Sequence, residues 1–336
     1  MHTSLPTAPL GTTGMTITRV GLGAWAIGGG DWRFGWGAQD DQDSIATIRH
    51  AIERGINWID AAAVYGLGHS EQVVGMALRD YPRADRPLVF TKCGMEWGGD
   101  PAVEPRRVAT AASVRREVQD SLKRLGVEQI DLYQVHWPPA DQTPIDEYWG
   151  AMLDLRREGI VRTVGLCNHD AEQVQRAEAL GHVDTLQSPF SMIRRQLAEV
   201  QIPRCAERGT GVLPYSPMQS GLLTGSFSAD RVRSLPSNDW RSRSERFAGE
   251  NLDRALALVD RVRPIAERHG TTVGAVAIAW TLAWRGVTGA IVGARSPEQI
   301  DGWIGAASLV LTPADLQEIA AAIDASGAGG GPSRPA

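Results

Sequence analysis

Cysteine is scarce in this 336-residue chain. Cys93, Cys167 and Cys205 cannot all pair, and their spacing matches no metal-ligand pattern, which excludes a disulfide framework and fits a reduced compartment. No run of about 18 apolar residues occurs, so no membrane span is expected. Met1 to Pro9 hold neither an apolar core of signal-peptide length nor a basic leader, so the expected location is the cytoplasm. Charge of one sign is not gathered anywhere. With a formal net charge of −5 and scattered basic residues, the chain offers no electrostatic footprint for nucleic acid. Phenylalanine is rare, five residues, against 11 tryptophans. Trp25, Trp32, Trp36, Trp97 and Trp137 fall in loops or at strand ends, which suggests an aromatic-lined pocket.

What is present is a repeated unit. Leu10 to Ile17 reads as a hairpin turning at Gly14. Short apolar strands are expected at 18–24, 56–60, 87–92, 130–135, 161–166, 183–187, 211–215 and 288–292. Helical spacing is expected at 43–54, 69–79, 107–125, 145–158, 171–180 and 197–208 between them. Gly126, Gly159, Gly181 and Gly209 each stop a helix just before the next strand. Two helices, 251–269 and 273–284, precede the last strand, and another starts at Pro297. Strands alternating with helices imply a parallel sheet, and eight units close it, giving an α/β fold of the (β/α)8 TIM-barrel type over residues 1–325. The stretch 226–249 is polar and Arg-rich, long enough for a lid or for disorder. The Gly-rich tail 326–336 is expected to be disordered.

In such barrels chemistry sits at the carboxyl ends of the strands. Those ends offer Ala24 and Trp25, then Asp60 with Tyr65 in the following Gly-rich turn, Lys92, His136, Asn168, Gln187, Tyr215 with Ser216, and Gly293 with Arg295. His69 and Ser70 are placed to cap the helix after that turn. An Asp, a Lys and a His ending three consecutive strands are hard to attribute to packing, because buried charges are rare unless paired. A phenol has an ordinary pKa of about 10. A neighbouring Lys92 cation would lower it, and Asp60 would hold that cation in place. His136 can donate a hydrogen bond to a carbonyl oxygen or assist proton passage. The set suits carbonyl reduction by hydride, with Tyr65 as the general acid. Asp60 and Lys92 also read as a structural ion pair, His136 as a satisfied core histidine, and Arg295 as a solvated helix-start charge. No carboxylate cluster suggests a metal site, and no nucleophilic Ser or Cys accompanies the His.

Taken together, Gly21-Leu22-Gly23 with Trp25, the run Asp60 to Glu71, Thr91-Lys92, Asp131 to His136, Leu186-Gln187, Pro214 to Gly225, Arg246-Phe247 and Gly293 to Gln299 resemble the aldo-keto reductase family. The likeness is to its potassium-channel-β-like branch of sugar and inositol reductases, and it runs from about Leu10 to Ile323. The resemblance implies a barrel plugged at its bottom by the hairpin, binding NADP(H) without a Rossmann fold. It implies Tyr65 as proton donor, Lys92 and Asp60 as the groups that tune it, and His136 as the residue that orients the carbonyl. The coenzyme set it implies is Ala24, Trp25, Asp60, Asn168, Gln187, Tyr215, Ser216, Pro217, Met218, Ser220, Leu222, Gly293, Arg295 and Gln299. Within it Asn168 and Gln187 hold the carboxamide, Tyr215 stacks on the nicotinamide, the 216–222 loop covers the pyrophosphate, and Arg295 meets a 2′-phosphate. The chain departs from the family pattern at Ala61, Cys167, Ser226, Gly302 and Trp303. Of these, Trp303 is a candidate to stack on the adenine.

The substrate is expected to be a small carbonyl or alcohol. Trp25, Tyr65, Trp97, His136 and Trp137, with the 28–37 loop and the 226–249 insertion, would line its pocket. Two other readings compete with the oxidoreductase. One is a coenzyme-binding regulatory subunit with little turnover, against which His136 argues, since channel β subunits lack a His at that place. The other is a Schiff-base barrel using Lys92, disfavoured by Asp60 and Tyr65 beside it.

Overall fold

The computed structural model describes residues 4–30 and 32–335. The chain starts with an antiparallel hairpin, β1 (Thr7–Pro9) and β2 (Thr16–Thr18). The hairpin starts earlier than the spacing predicts, because Leu10 to Met15 form the connecting turn, with Leu10 N–H donating to the Met15 carbonyl at 2.8 Å. Leu10, Met15 and Ile17 bury themselves against Trp58, Phe90, Leu132, Leu213 and Ile291, the inward side chains of the barrel strands. The hairpin therefore closes one end of the barrel with apolar side chains.

The strands that follow are β3 (Val20–Gly23), β4 (Trp58–Asp60), β5 (Leu88–Cys93), the short rim pair β6 (Met95–Glu96) and β7 (Arg106–Arg107), β8 (Ile130–Val135), β9 (Val161–Cys167), β10 (Thr185–Gln187), β11 (Gly211–Val212) and β12 (Ala290–Gly293). Among the described residues, eight of these form one parallel sheet in the order β11-β10-β9-β8-β5-β4-β3-β12. Its edges meet: Val212 lies beside Val287, Tyr215 lies beside Ile291, and Ile291 N–H donates to the Pro214 carbonyl at 2.8 Å. The sheet is thus a closed (β/α)8 barrel, which leaves no exposed strand edge.

Helices at Asp41–Glu53, His69–Leu78, Ala111–Leu125, Ile145–Arg157, Ala171–Leu180 and Gln201–Arg208 connect the strands. Thr110 and Asp170 cap two of them through side-chain oxygens. Gly126 and Gly209 end two in the left-handed conformation, as the sequence suggests. The helices Gly249–Arg268 and Val273–Leu282 precede β12. After the short helix Pro297–Asp301, a separate helix, Pro313–Ser326, is opened by a Thr312/Asp315 capping box. Glycine 302 and the buried Trp303 and Ile304 interrupt what reads as one helix from Pro297.

The insertion, expected as a lid or binding loop or as disorder, is ordered, and the tail, expected as disordered, is packed. The insertion 226–249 forms the helix Ala229–Arg233 and two 3-10 turns, Trp240–Arg243 and Glu245–Phe247, around its own core of Leu222, Phe227 and Phe247. The tail does not float either. Its glycines let the backbone lie directly on the 193–196 segment, where the Gly330 carbonyl accepts from Arg195 N–H at 3.1 Å. Residue 336 lies outside the described residues.

Candidate active site

The site begins with the burial of a charge. β4 is too short and apolar to carry Asp60 into water, and Asp60 and Lys92 are both 1% exposed. Lys92 Nζ donates to Asp60 Oδ2 at 2.7 Å and to the Ala61 carbonyl at 2.7 Å. Gln187 Nε2 donates to the other carboxylate oxygen at 2.9 Å. Every strong partner of this ion pair is supplied by strands β4, β5 and β10 or by the turn after β4. Removing one member of such a pair typically destabilises a protein by roughly 3–5 kcal/mol, because the remaining charge is stranded.

Lys92 Nζ also reaches the hydroxyl of Tyr65, at 3.5 Å. After Asp60 the run Ala61–Val64 is buried, and Tyr65 N–H donates back to the Ala62 carbonyl at 3.1 Å. The turn then needs Gly66 at φ +58°, and a Cβ there would stand 1.9 Å from the Gly28 carbonyl oxygen. This close approach locks the Tyr65 turn onto the early loop. The next helix starts at His69 behind Gly68, without a side-chain cap. Neither His69 nor Ser70 caps it. The Ser70 hydroxyl instead donates to the Ala24 carbonyl at 2.7 Å, and His69 pairs with Asp41 at 2.8 Å.

His136 follows β8, its N–H donating to the Cys93 carbonyl at 2.9 Å. Its ring meets that of Tyr65 edge-on, centroids 5.6 Å apart. Tyr65 and His136 are both only partly buried, so the pair opens to the rim while Lys92 and Asp60 do not. Burial pushes the Tyr65 phenol above its ordinary range; the Lys92 charge opposes this but does not overcome it. The sequence-based expectation of a lowered phenol is therefore corrected, because the desolvation of this ring outweighs the cation 3.5 Å away. For Lys92, burial works against the ammonium, yet the Asp60 carboxylate raises it overall. His136 is held well below the usual histidine range by burial, with the Lys92 and Arg107 charges adding to it. A protonated phenol and a neutral imidazole thus stand side by side over a fixed ammonium, able to donate hydrogen bonds to one oxygen.

The remaining strand ends form a second group. Asn168, at φ +60°, donates to the His136 carbonyl at 2.9 Å and accepts from the Tyr215 hydroxyl at 2.8 Å. Burial pushes the Tyr215 phenol up to about 12. Ser216, Gln219 and Ser220 also adopt left-handed backbone. Non-glycine residues in this region are uncommon, yet one follows β9 and three fall in the 216–222 turn. Pro217 and Leu222 are buried in that segment, and Met218 is packed against the main core. Gln187 is 2% exposed, with its amide turned to Asp60.

Arg295 sits after β12, where Gly293 and Gln299 are exposed. Its Nε donates to Gln39 at 2.7 Å, one terminal nitrogen donates to the Trp36 carbonyl at 3.1 Å, and the other to the Ala38 carbonyl. Its backbone N–H donates to Gln299 Oε1 at 2.9 Å. Arg295 thus fastens the early loop to the last strand and is not a solvated charge. Trp303 is 3% exposed in the core and presents no face to a ligand, which removes it as an adenine platform.

Trp25 stacks at 6.1 Å from Tyr65 and at 5.4 Å from Trp240, with Trp36 edge-on at 5.1 Å. Trp97 packs with Trp25 and Tyr65 around Trp32, Ala62 and Val64. Trp137 lies under the Arg107 guanidinium at 4.7 Å. Trp240 and Arg241, from the insertion, were not foreseen individually. Trp240 N–H donates to the Gly35 carbonyl at 3.0 Å, and Arg241 stacks on Trp36 at 4.6 Å while pairing with the buried Asp239 at 2.6 Å. The signal available in sequence was the Asp239-Trp240-Arg241 run itself, an aromatic between opposite charges inside a polar stretch.

Comparison with known proteins agrees with this geometry. The family model described as the aldo/keto reductase family matches residues 19–324. The chain belongs to the aldo/keto reductase family. It is 36% identical over 329 residues to the NADH-specific methylglyoxal reductase of Escherichia coli K12, covering 94% of this chain and 98% of that one. It is 34% identical over 308 residues to the aldo-keto reductase YhdN of Bacillus subtilis, covering 91% and 90%. Among solved structures, the glycerol dehydrogenase AKR11B4 of Gluconobacter oxydans superposes with a TM-score of 0.85 at 35% identity, covering 95% of both chains. The holo form of the aldo-keto reductase AKR11C1 of Bacillus halodurans gives 0.76 at 25%, covering 95% and 96%. As an aldo/keto reductase, the protein is an oxidoreductase that interconverts carbonyl and alcohol groups with a nicotinamide coenzyme.

Proposed function

We propose that Tyr65 is the general acid and base of this reaction, with Lys92 and Asp60 fixing its surroundings and His136 orienting the carbonyl. The observation that carries this is the Lys92 ammonium 3.5 Å from the Tyr65 oxygen, with His136 edge-on to the same ring. When bound, the nicotinamide coenzyme supplies or accepts the hydride at the carbonyl carbon. The residues do the rest. Tyr65 gives its proton to the oxygen as negative charge develops there, and the Lys92 ammonium stabilises the phenolate left behind. Neutral His136 donates a hydrogen bond to the same oxygen without bringing a full charge into the mouth.

The coenzyme end is supported by chemistry and by backbone shape. Asn168 and Gln187, already bonded to His136, Tyr215 and Asp60, would meet a carboxamide only with their remaining donor and acceptor positions, while Tyr215 has an aromatic face and the left-handed Ser216, Gln219 and Ser220 form a turn rich in oriented peptide groups suited to a pyrophosphate. Ala24, Trp25 and Gly293 border it at the strand ends. NADP(H) is the reading we favour, on Arg295. Guanidinium carries five N–H donors, three engaged with the early loop, so two remain for a 2′-phosphate. Those same engagements favour NADH as the second reading, as does a relative named for NADH specificity.

For substrate we infer a small oxygenated carbonyl or its alcohol, of the size of methylglyoxal or glycerol. Trp25 stacks on Tyr65 and is itself held by Trp36 and Trp240, so one wall beside the phenol is aromatic; the size is inferred from the relatives named for methylglyoxal and glycerol. The test is a two-direction assay of short α-oxo and polyol compounds with NADPH and with NADH. Turnover with kcat/KM at least tenfold higher for NADPH supports the first coenzyme reading. The reverse ratio, abolished by no change at Arg295, supports the second.

A further inference from the structure

The tail reads Ser-Gly-Ala-Gly-Gly-Gly-Pro-Ser-Arg-Pro-Ala, and its residues 328–331 are seated against the segment that follows β10. Arg195, 5% exposed, is the anchor. Its Nε donates to the Gly331 carbonyl at 3.0 Å, Nη1 donates to the Ala328 carbonyl at 2.8 Å and also to the Met192 carbonyl, and its backbone N–H donates to the Gly330 carbonyl. All these acceptors are main-chain oxygens, three of the four in the tail. Glycine is required for the fit. Gly329 has φ +65°, and a Cβ there would stand 1.7 Å from the Ile193 carbonyl oxygen; at Gly331, φ +96°, it would stand 2.6 Å from the Arg195 backbone.

What the tail grips is connected to the rim. Ser191, fully buried, accepts from the N–H groups of Ile193 and Arg194, both at 3.1 Å, and from Gln219 Nε2 at 2.7 Å. Gln219 is one of the left-handed residues of the 216–222 turn. Phe190 N–H donates to the Tyr215 carbonyl at 3.2 Å, joining the same segment to the strand end that precedes the turn. The chain of contacts runs from tail to Arg195, to the 191–196 loop, to Ser191, to Gln219.

We propose that the glycine tract 329–331 is a strap that positions the coenzyme-covering turn, with Arg195, Ser191 and Gln219 as the positioning residues that carry its effect. This rests on the reading that 216–222 covers the coenzyme. Without the strap a buried guanidinium loses tail acceptors that water does not readily replace, so the 191–196 loop must rearrange. Gln219 then loses its fixed partner, and coenzyme binding has to order the turn as well as contact it.

The experiment compares the full chain with Gly329→Ala, with a truncation lacking 328–336, with Ser191→Ala, and with Gly329→Ala combined with Ser191→Ala. Coenzyme Kd is read by quenching of NADPH or NADH fluorescence, and segment mobility by hydrogen exchange. In the wild type, coenzyme protects 216–222. In Gly329→Ala, the free protein exchanges faster at 188–196 and at 216–222, Kd is weaker by about tenfold, and kcat at saturating coenzyme stays within twofold. Ser191→Ala gives the same loss with the tail still protected, and the double variant loses no more than either single one. If the truncated chain does not fold, the two point variants decide. Folded variants with wild-type exchange and Kd, or fully additive losses, would overturn the strap. Wild-type 216–222 left unprotected by coenzyme would overturn the underlying coenzyme assignment and, with it, the strap's role in binding.

Discussion

The phenol oxygen of Tyr65 stands 3.5 Å from the Lys92 ammonium, yet burial keeps the phenol above its ordinary pKa of about 10. In the role proposed for Tyr65, the protonated form is the one that can give its proton to the carbonyl oxygen as hydride arrives. The reductive kcat/KM is therefore expected to be flat from about pH 6 to 9 and to fall only above about pH 10, while the oxidative rate, which needs phenolate, rises with pH across the same range. Paired pH profiles check this. A reductive profile falling between pH 7 and 8 would mean that the cation outweighs burial.

Asp60→Asn leaves the Lys92 ammonium without its carboxylate at a 1% exposed position. The expected loss of stability is roughly 3–5 kcal/mol, read as a lower denaturation midpoint in urea. The double variant Asp60→Asn with Lys92→Met removes both charges and recovers part of that loss. A single variant as stable as the wild type would show the pair to be solvated.

His136 is held well below the usual histidine range because its ring is largely desolvated by its neighbours even at the rim, with the Lys92 and Arg107 charges adding to it. Its folded pKa is depressed, so the unfolded chain binds the proton first as pH falls. This residue's contribution to stability is fully present above the unfolded pKa of about 6.5, and is lost as pH falls from there towards the folded pKa. His136→Asn is expected to flatten that part of the stability profile and to lower kcat/KM by roughly 10²-fold or more. Urea melts between pH 4 and 8 on both proteins measure it, and superimposable slopes would contradict it.

Much of this arrangement was legible in sequence because its signals are local. Asp60, Lys92 and His136 each end an apolar strand, and the glycines after Tyr65 announce a tight turn. A further signal lay in composition. Only two of the 34 basic residues are lysines, Lys92 and Lys123, so a lysine ending a strand stands out in an Arg-rich chain. What was not legible depends on distant partners. Arg295 reads as a free charge until the Trp36 and Ala38 carbonyls are beside it. Trp303 reads as a possible surface ring until the core closes over it. The tail has the composition of a linker, but its missing side chains are what let its backbone approach Ile193. The direction of the Tyr65 shift is not legible for the same reason: a nearby cation can be inferred from strand order, but how far the ring is desolvated cannot.

The central claim, that Tyr65 moves the proton, is tested most directly by single-turnover carbonyl reduction with Tyr65→Phe at saturating coenzyme. The ring and its packing against Trp25 are kept, so coenzyme Kd is expected within about threefold of the wild type, while the reduction rate falls by roughly 10²–10⁴-fold. A variant that folds, binds coenzyme and reduces substrate within a few-fold of the wild-type rate would contradict the account.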